Sequence, residues 1–141
     1  MRIGVDANVL VRMISVDDMD QALKAREFGQ SLRGDRYGFF SKTALVEAFW
    51  VLTRAHKLPK TQVLHVYKDL LDLSNVLVED SGDVMWAIGK ALEEKADFPD
   101  ALISAAARSA NCHTTVTFDK KAAKAFGWQY LGDPATTAPI S

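Results

Sequence analysis

Short apolar runs of strand length alternate along this chain with longer amphipathic stretches, and that alternation excludes most architectures. Met1–Val5, Tyr37–Phe40, Asn75–Val78, Cys112–Phe118 and Trp128–Leu131 read as short strands. Between them, Asn8–Ile14 supplies one or two helical turns, and Gln21–Leu32 and Lys42–His56 read as helices. A helix capped by Thr61 runs to about Leu73, followed by helices over Asp83–Lys95, Pro99–Ala110 and Asp119–Phe126. Strands separated by helices have the crossovers that parallel pairing requires. The pattern predicts an α/β fold of three layers, α/β/α, around a mostly parallel central sheet of about four to five strands. In such sheets, ligands collect in the crevice outside the carboxyl ends of the strands.

Length and composition narrow the class without reaching a function. A chain of 141 residues predicts one domain, placed at residues 1–131, with an extended tail at 132–141. Cys112 is the lone cysteine, so a disulfide scaffold is excluded and a reducing, cytoplasmic setting is expected. The opening residues are interrupted by Asp6 and Arg12, so a secretory leader is not expected. No apolar run reaches the roughly 18 residues of a membrane span. Lys and Arg total 17 against 18 acids, so a polyanionic partner would need a local basic surface.

Most of those acids sit at helix starts or beside lysines, where capping and solvation explain them. Four do not. Asp6 is the sole charge between Arg2 and Arg12, and Glu47 the sole charge between Lys42 and Arg54. Asp100 stands alone from Phe98 to Ala107, and Asp119 ends the run Cys112–Phe118. A carboxylate buried in such surroundings needs a partner, hydrogen bonds or a raised pKa. Asp6, Asp100 and Asp119 each read either as a turn or helix cap or as a functional group. Glu47, about 9 Å along its helix from Ser41, lies beyond any cap. It reads either as a buried structural acid paired with Arg54 or backbone, or as part of a site.

Asp6 and Asp119 follow strands, and Asp100 opens a helix, so one rim of the sheet is placed to collect all four acids. Like charges there repel unless a cation neutralises them. Hard carboxylate oxygens without a Cys or His cluster suit Mg2+ or Mn2+ rather than Zn2+. Asp97 reads as a further ligand or as a loop residue, and Asn8 and Thr117 as supporting hydrogen-bond partners or ordinary turn and strand polar groups. A carboxylate site holding such a metal is suited to phosphodiester hydrolysis, with metal-activated water as nucleophile. His56, His65 and His113 read as structural or exposed, and Cys112 as a small core residue. Phosphate contacts would fall to Arg12, Arg54, Lys57, Lys120, Lys121 or Lys124, each of which reads better singly as a solvated helix charge and as a contact only together with the others. Trp50, Trp86, Trp128 and Phe49 read as core or dimer surface rather than base-stacking platforms.

The segments VDANVLVR, TALVEAFWVL, DFPDALISAAA and TFDKKAAK occur in this order and spacing over roughly Ile3 to Leu131. In these the chain resembles the PIN-domain family and, at this size, its VapC-type toxin ribonucleases of toxin–antitoxin pairs. The resemblance implies that Asp6, Glu47, Asp100 and Asp119 bind Mg2+ or Mn2+, with Asp97 an additional acid and Asn8 and Thr117 lining the site. It implies an endoribonuclease leaving a 5′-phosphate and a 3′-hydroxyl, a homodimer, and inhibition by a small antitoxin protein. The alternatives are a PIN-type nuclease of RNA maturation or structured DNA without an antitoxin, and a catalytically silent nucleic-acid- or protein-binding module. An aspartyl-phosphate phosphohydrolase is disfavoured, because Asn8 stands where such an enzyme usually has a second aspartate.

Overall fold

The first strand is only three residues, β1 (Arg2–Gly4), because Asp6 ends the extended run and starts a helix. In the computed structural model, which describes residues 1–132, the chain groups into two compact units, Met1–Met85 and Trp86 onward. The remaining residues of the expected tail, 133–141, lie outside the described residues.

In the first unit β1 is followed by α1 (Ala7–Ile14), α2 (Met19–Gln30) and β2 (Tyr37–Phe40). Then come α3 (Lys42–Trp50), a π-helical turn over Val51–Ala55, α4 (Lys60–Leu71) and β3 (Val76–Val78). The strands form a parallel sheet in the order β1-β2-β3, with Ile3 opposite Gly38 and Phe39 opposite Leu77. Gly38 lies in the central strand, where a Cβ would stand 2.8 Å from Leu32 Cδ1 and make that leucine end shift. The core is built by helical stripes. Leu10 and Val11 of α1, Ala44, Leu45, Ala48, Phe49 and Leu52 of α3 and its π turn, and Val63, Leu64 and Tyr67 of α4 are buried. The hydroxyl of Tyr67 donates to the Leu45 carbonyl at 2.6 Å, and burial pushes its pKa up.

Helix α5 (Ser81–Glu94) leads into the second unit, which continues with α6 (Phe98–Ser109), β4 (Val116–Thr117), α7 (Lys120–Phe126) and β5 (Gln129–Tyr130). Strands β4 and β5 pair in parallel, Val116 with Gln129 and Thr117 with Tyr130. Phe98, Ala101, Leu102 and Ala105 form the buried stripe of α6. The Trp128 indole meets Ser104, a buried polar residue of that helix, at 3.4 Å. Gly127 stops α7 in the left-handed region (φ 70), and Trp128 N–H donates to the Ala123 carbonyl at 3.1 Å.

Seven α-helices among the described residues and parallel pairing throughout are consistent with the α/β class and three-layer α/β/α fold that the alternation predicts. The five expected strands are present, but they are hydrogen-bonded as a sheet of three and a sheet of two rather than as one. The predicted strand Cys112–Phe118 shrinks to two residues. Asn111 has positive φ, and Cys112 and His113 are exposed, so the start of that run is a turn rather than a ladder. Cys112 is therefore not the small core residue its composition suggested.

Candidate metal centre

Five described helices follow directly on an aspartate. Asp80, before α5, is left-handed (φ 46) and pairs with Lys42. The four in extended conformation, before α1, α2, α6 and α7, use their carboxylates differently. Asp18 starts α2, and its Oδ1 accepts from Gln21 N–H at 3.1 Å. Asp97 starts α6, with Oδ1 accepting from Asp100 N–H at 3.1 Å. Asp119 starts α7, with Oδ1 accepting from Lys121 N–H at 2.9 Å and Ala122 N–H at 3.1 Å. Each satisfies donors that a helix start otherwise leaves unpaired. Asp6 starts α1 in the same extended conformation (φ −73, ψ 155), yet its side chain makes no capping hydrogen bond. Only its carbonyl serves the helix, accepting from Val9 and Leu10 N–H at 3.1 and 3.2 Å.

The capping explanation offered for Asp100 belongs instead to Asp97, three residues earlier. Asp100 lies in the first turn of α6, half-buried behind Pro99. Its carboxyl pKa is raised, chiefly by partial burial and further by the negative charges of Asp97 and Asp119. Asp100 therefore lies close enough to both other acids of the second unit to feel their charges. For Asp119 the capping explanation holds, but it occupies only Oδ1. Thr117 Oγ1 accepts from Asp119 N–H at 3.0 Å and fixes the backbone that carries the acid.

Burial, the premise that singled these acids out, holds for Asp100 alone. Asp6, Glu47 and Asp119 are exposed. The reason is plain for Glu47. The buried stripe of its helix is Ala44, Leu45, Ala48, Phe49 and Leu52, whereas Glu47 shares the opposite stripe with Trp50, Val51 and Arg54. Trp50 and Val51 are themselves exposed, so the apolar run around Glu47 is not a buried one. Arg54 does not pair with Glu47; its guanidinium lies 5.3 Å from the Trp50 ring centre. The π-helical turn follows directly after, a feature often found at functional sites.

Among the described residues, Asp6, Glu47, Asp97, Asp100 and Asp119 form no ion pair, whereas Asp17, Asp80 and Glu94 do. No three Asp, Glu, His or Cys side chains among the described residues form a metal-holding group. What the donors offer is hard oxygen without a described counter-charge: Asp97 and Asp119 commit one oxygen each to a helix start, and Asp6, Glu47 and Asp100 pair with no described base. That chemistry fits a divalent cation of the magnesium class.

The PIN domain model matches residues 3–126, most of the chain. The chain belongs to the PIN domain family. That places it on a metal-dependent nuclease fold, in a family whose members generally hydrolyse nucleic acids with divalent metals. No curated protein sequence matches the chain significantly. No helix of this PIN domain, among the described residues, is long and apolar enough to cross a membrane.

The expected phosphate contacts of the PIN domain fall into two groups. Lys121 and Lys124 are exposed on α7, and Lys120 reaches toward the Tyr130 ring at 5.5 Å. Lys57 is exposed and takes a left-handed backbone (φ 58) after the π turn. Arg12 is not a simple solvated charge: its Nε donates to Gln21 Oε1 at 2.7 Å and its Nη1 to Asp17 Oδ1 at 2.8 Å. Asn8 is exposed in the first turn of α1. His56 is structural, with Nδ1 2.7 Å from Ser15 Oγ, while His65 and His113 are exposed. Phe49 is core as expected, and Trp86 carries Arg108 over its ring at 4.7 Å. One residue escaped the sequence reading: Phe118, next to Asp119, is 77% exposed. A large aromatic left in water beside a candidate ligand is suited to stacking on a base. Its position at the end of a short strand, facing away from the core, carried no periodicity that would reveal it.

Proposed function

We propose that this PIN domain is a Mg2+- or Mn2+-dependent endoribonuclease acting as the cytoplasmic toxin of a toxin–antitoxin pair. The observation that supports the proposal is that Asp6, Glu47, Asp97, Asp100 and Asp119, the acids that the resemblance assigns to a metal, lie within the residues matched by the PIN domain model, and none is neutralised by a described base. Asp6 and Glu47 are neither capped onto a helix start nor paired with a described base, which leaves their oxygens open to a cation. In this reading Asp6, Glu47, Asp100 and Asp119 hold the cation, with Asp97 as a further ligand or a positioning group for Asp100. A bound cation supplies a lowered water pKa and charge neutralisation at the reacting phosphodiester, giving a 5′-phosphate and a 3′-hydroxyl. The chain itself orients the acids: Thr117 fixes the Asp119 backbone, and the Asp97 cap fixes the turn that carries Asp100. Asn8 lines the site beside Asp6. Arg54, Lys57, Lys120, Lys121 and Lys124 hold the RNA backbone by charge, and Arg12 joins them through its uncommitted Nη2. The toxin role brings two protein partners, a second copy of the chain and a small antitoxin.

The test is RNA cleavage by the purified protein, blocked by chelator and restored by Mg2+ or Mn2+. Asp6→Asn must abolish cleavage while leaving the fold intact. Undiminished cleavage by Asp6→Asn would overturn the proposal. Co-purification with the product of an adjacent small reading frame tests the antitoxin separately.

A further inference from the structure

The first unit holds a cavity of about 480 Å³ between β1, α1 and α2, within the usual range for a small-molecule site. Its wall is apolar, from Val5, Val9, Ala25 and the half-buried ring of Phe28. Its polar groups are two primary amides, Asn8 and Gln21, and two cations, Arg12 and Lys24, with no acid among the lining residues. The lining includes Val5 and Asn8, which flank Asp6 in the chain.

The cationic rim is built. Arg12 is gripped at two of its nitrogens, Nε by Gln21 and Nη1 by Asp17. Asp17 Oδ2 in turn lies 3.6 Å from His56 Nε2, and His56 Nδ1 meets Ser15 at the end of α1. This chain ties the end of α1, the start of α2 and the end of the π turn, so the guanidinium is positioned before any ligand arrives. Its Nη2 donates to no described group. Asp17 takes up part of the arginine charge, which leaves exposed Lys24, unpaired among the described residues, as the full positive charge at the rim.

We propose that this cavity is a nucleotide subsite that receives one unpaired base of the RNA substrate, stacked against Phe28, with an adjoining phosphate on Lys24 and Arg12 Nη2. The proposal rests on the ribonuclease reading above and adds to it a source of sequence preference. A base edge needs donors and acceptors side by side, and its flat face needs an aromatic wall. Asn8 supplies donor and acceptor with both ends of its amide, and Gln21 extends them with its amide N–H, its Oε1 being held by Arg12. An acidic peptide side chain would use the cations and the apolar wall but would leave the Asn8 amide without a role.

The test uses the full chain in chelator, so that nothing is cut, and short single-stranded oligoribonucleotides of A, C or U as probes. Backbone amide shifts report binding. The expected result is saturable shifts in Ile3–Arg12 and Gln21–Phe28 with a clear preference for one base. Phe28→Leu should weaken that binding about tenfold, as expected for loss of a base–aromatic stack. Lys24→Gln, an exposed substitution that spares the fold, should weaken all three probes alike and reduce the salt slope of log K by about 0.7. Ribose 5-phosphate shifting the same amides as strongly would overturn the base pocket. So would shifts produced by an acidic peptide and not by RNA, which would assign the cavity to a protein partner. If the protein cuts RNA with metal but these amides never move, the subsite fails and the nuclease reading stands. If they move with base preference but no RNA is cut, the nuclease reading fails instead.

Discussion

The start of α1 and the start of α7 pose the same physical problem and solve it differently. Each helix begins at an aspartate in extended conformation, following a short strand. At α7, Asp119 turns one oxygen onto two backbone N–H groups; at α1, Asp6 turns neither, and the helix start forgoes a cap worth typically about 1 kcal/mol. Asp18 and Asp97 follow the α7 pattern. Asp6 keeps both carboxylate oxygens off the helix start that it precedes. Asp119 shows the intermediate case, one oxygen committed to the fold and one left over.

The comparison breaks first at activity. Asp6→Asn should reduce metal-dependent RNA cleavage by more than about 100-fold, since even outer partners of metal ligands cost about 10–100-fold. Asp18→Asn, at a helix start with only a capping role, should leave the rate unchanged. Equal losses in the two variants, measured in one cleavage assay, would erase the distinction between them.

Stability separates them in the opposite sense. Asp119→Ala and Asp18→Ala should each lose about 1 kcal/mol in denaturant unfolding, whereas Asp6→Ala should stay within about 0.5 kcal/mol. A cap-sized loss at Asp6 would show that its carboxylate serves the helix after all.

Asp100 sharpens the contrast through pH. Its folded pKa lies above the ordinary carboxylate value, so its ionised form is disfavoured by the fold. The stabilisation from its neutral form is fully present below the unfolded pKa and is lost as pH rises through the folded one. Without divalent cation, Asp100→Asn should therefore raise the melting temperature at neutral pH and not at acidic pH. The gain should be under about 1 kcal/mol, because solvent screens a half-exposed group.

The smallest effect lies at an acid that does have its cation. Asp80 Oδ2 stands 2.5 Å from Lys42 Nζ, and this contact raises the lysine pKa. The pair should contribute less than about 1 kcal/mol. Because the lysine pKa is raised, that contribution is present below its unfolded value near 10.4 and is lost as pH rises through the folded one. Lys42→Met, compared with wild type by thermal melts at neutral and strongly alkaline pH, should show its small deficit only at the former.

Much of this fold was legible in the sequence because helix starts and strand lengths are written locally. Ser41 caps α3 as expected, with its Oγ accepting from Ala44 N–H at 3.0 Å, and Gly127 stops α7. Each predicted strand and helix has a counterpart. The boundaries that moved did so where local rules compete: α4 starts at Lys60 behind Pro59 rather than at Thr61. Exposure was less legible. An apolar run such as TALVEAFWVLT gives the average character of a segment, not which side of the helix each residue takes, and Glu47 lies off the buried stripe. Nor does composition reveal a network such as Ser15–His56–Asp17–Arg12, whose members are separated by up to 44 positions and meet only through folding. The cavity wall was hidden for the same reason: Asn8 and Arg12 on α1 meet Gln21, Lys24 and Phe28 on α2 only once the two helices pack.

The central claim is that acids left without partners by the fold belong to a divalent cation. Calorimetric titration of Mn2+ into the purified chain tests it most directly, with Asp6→Asn, Asp100→Asn and Asp18→Asn run beside the wild type. Saturable binding by wild type and Asp18→Asn, lost in Asp6→Asn and Asp100→Asn, is the expected result. No binding by the wild type, or binding undiminished in both Asp6→Asn and Asp100→Asn, would contradict it.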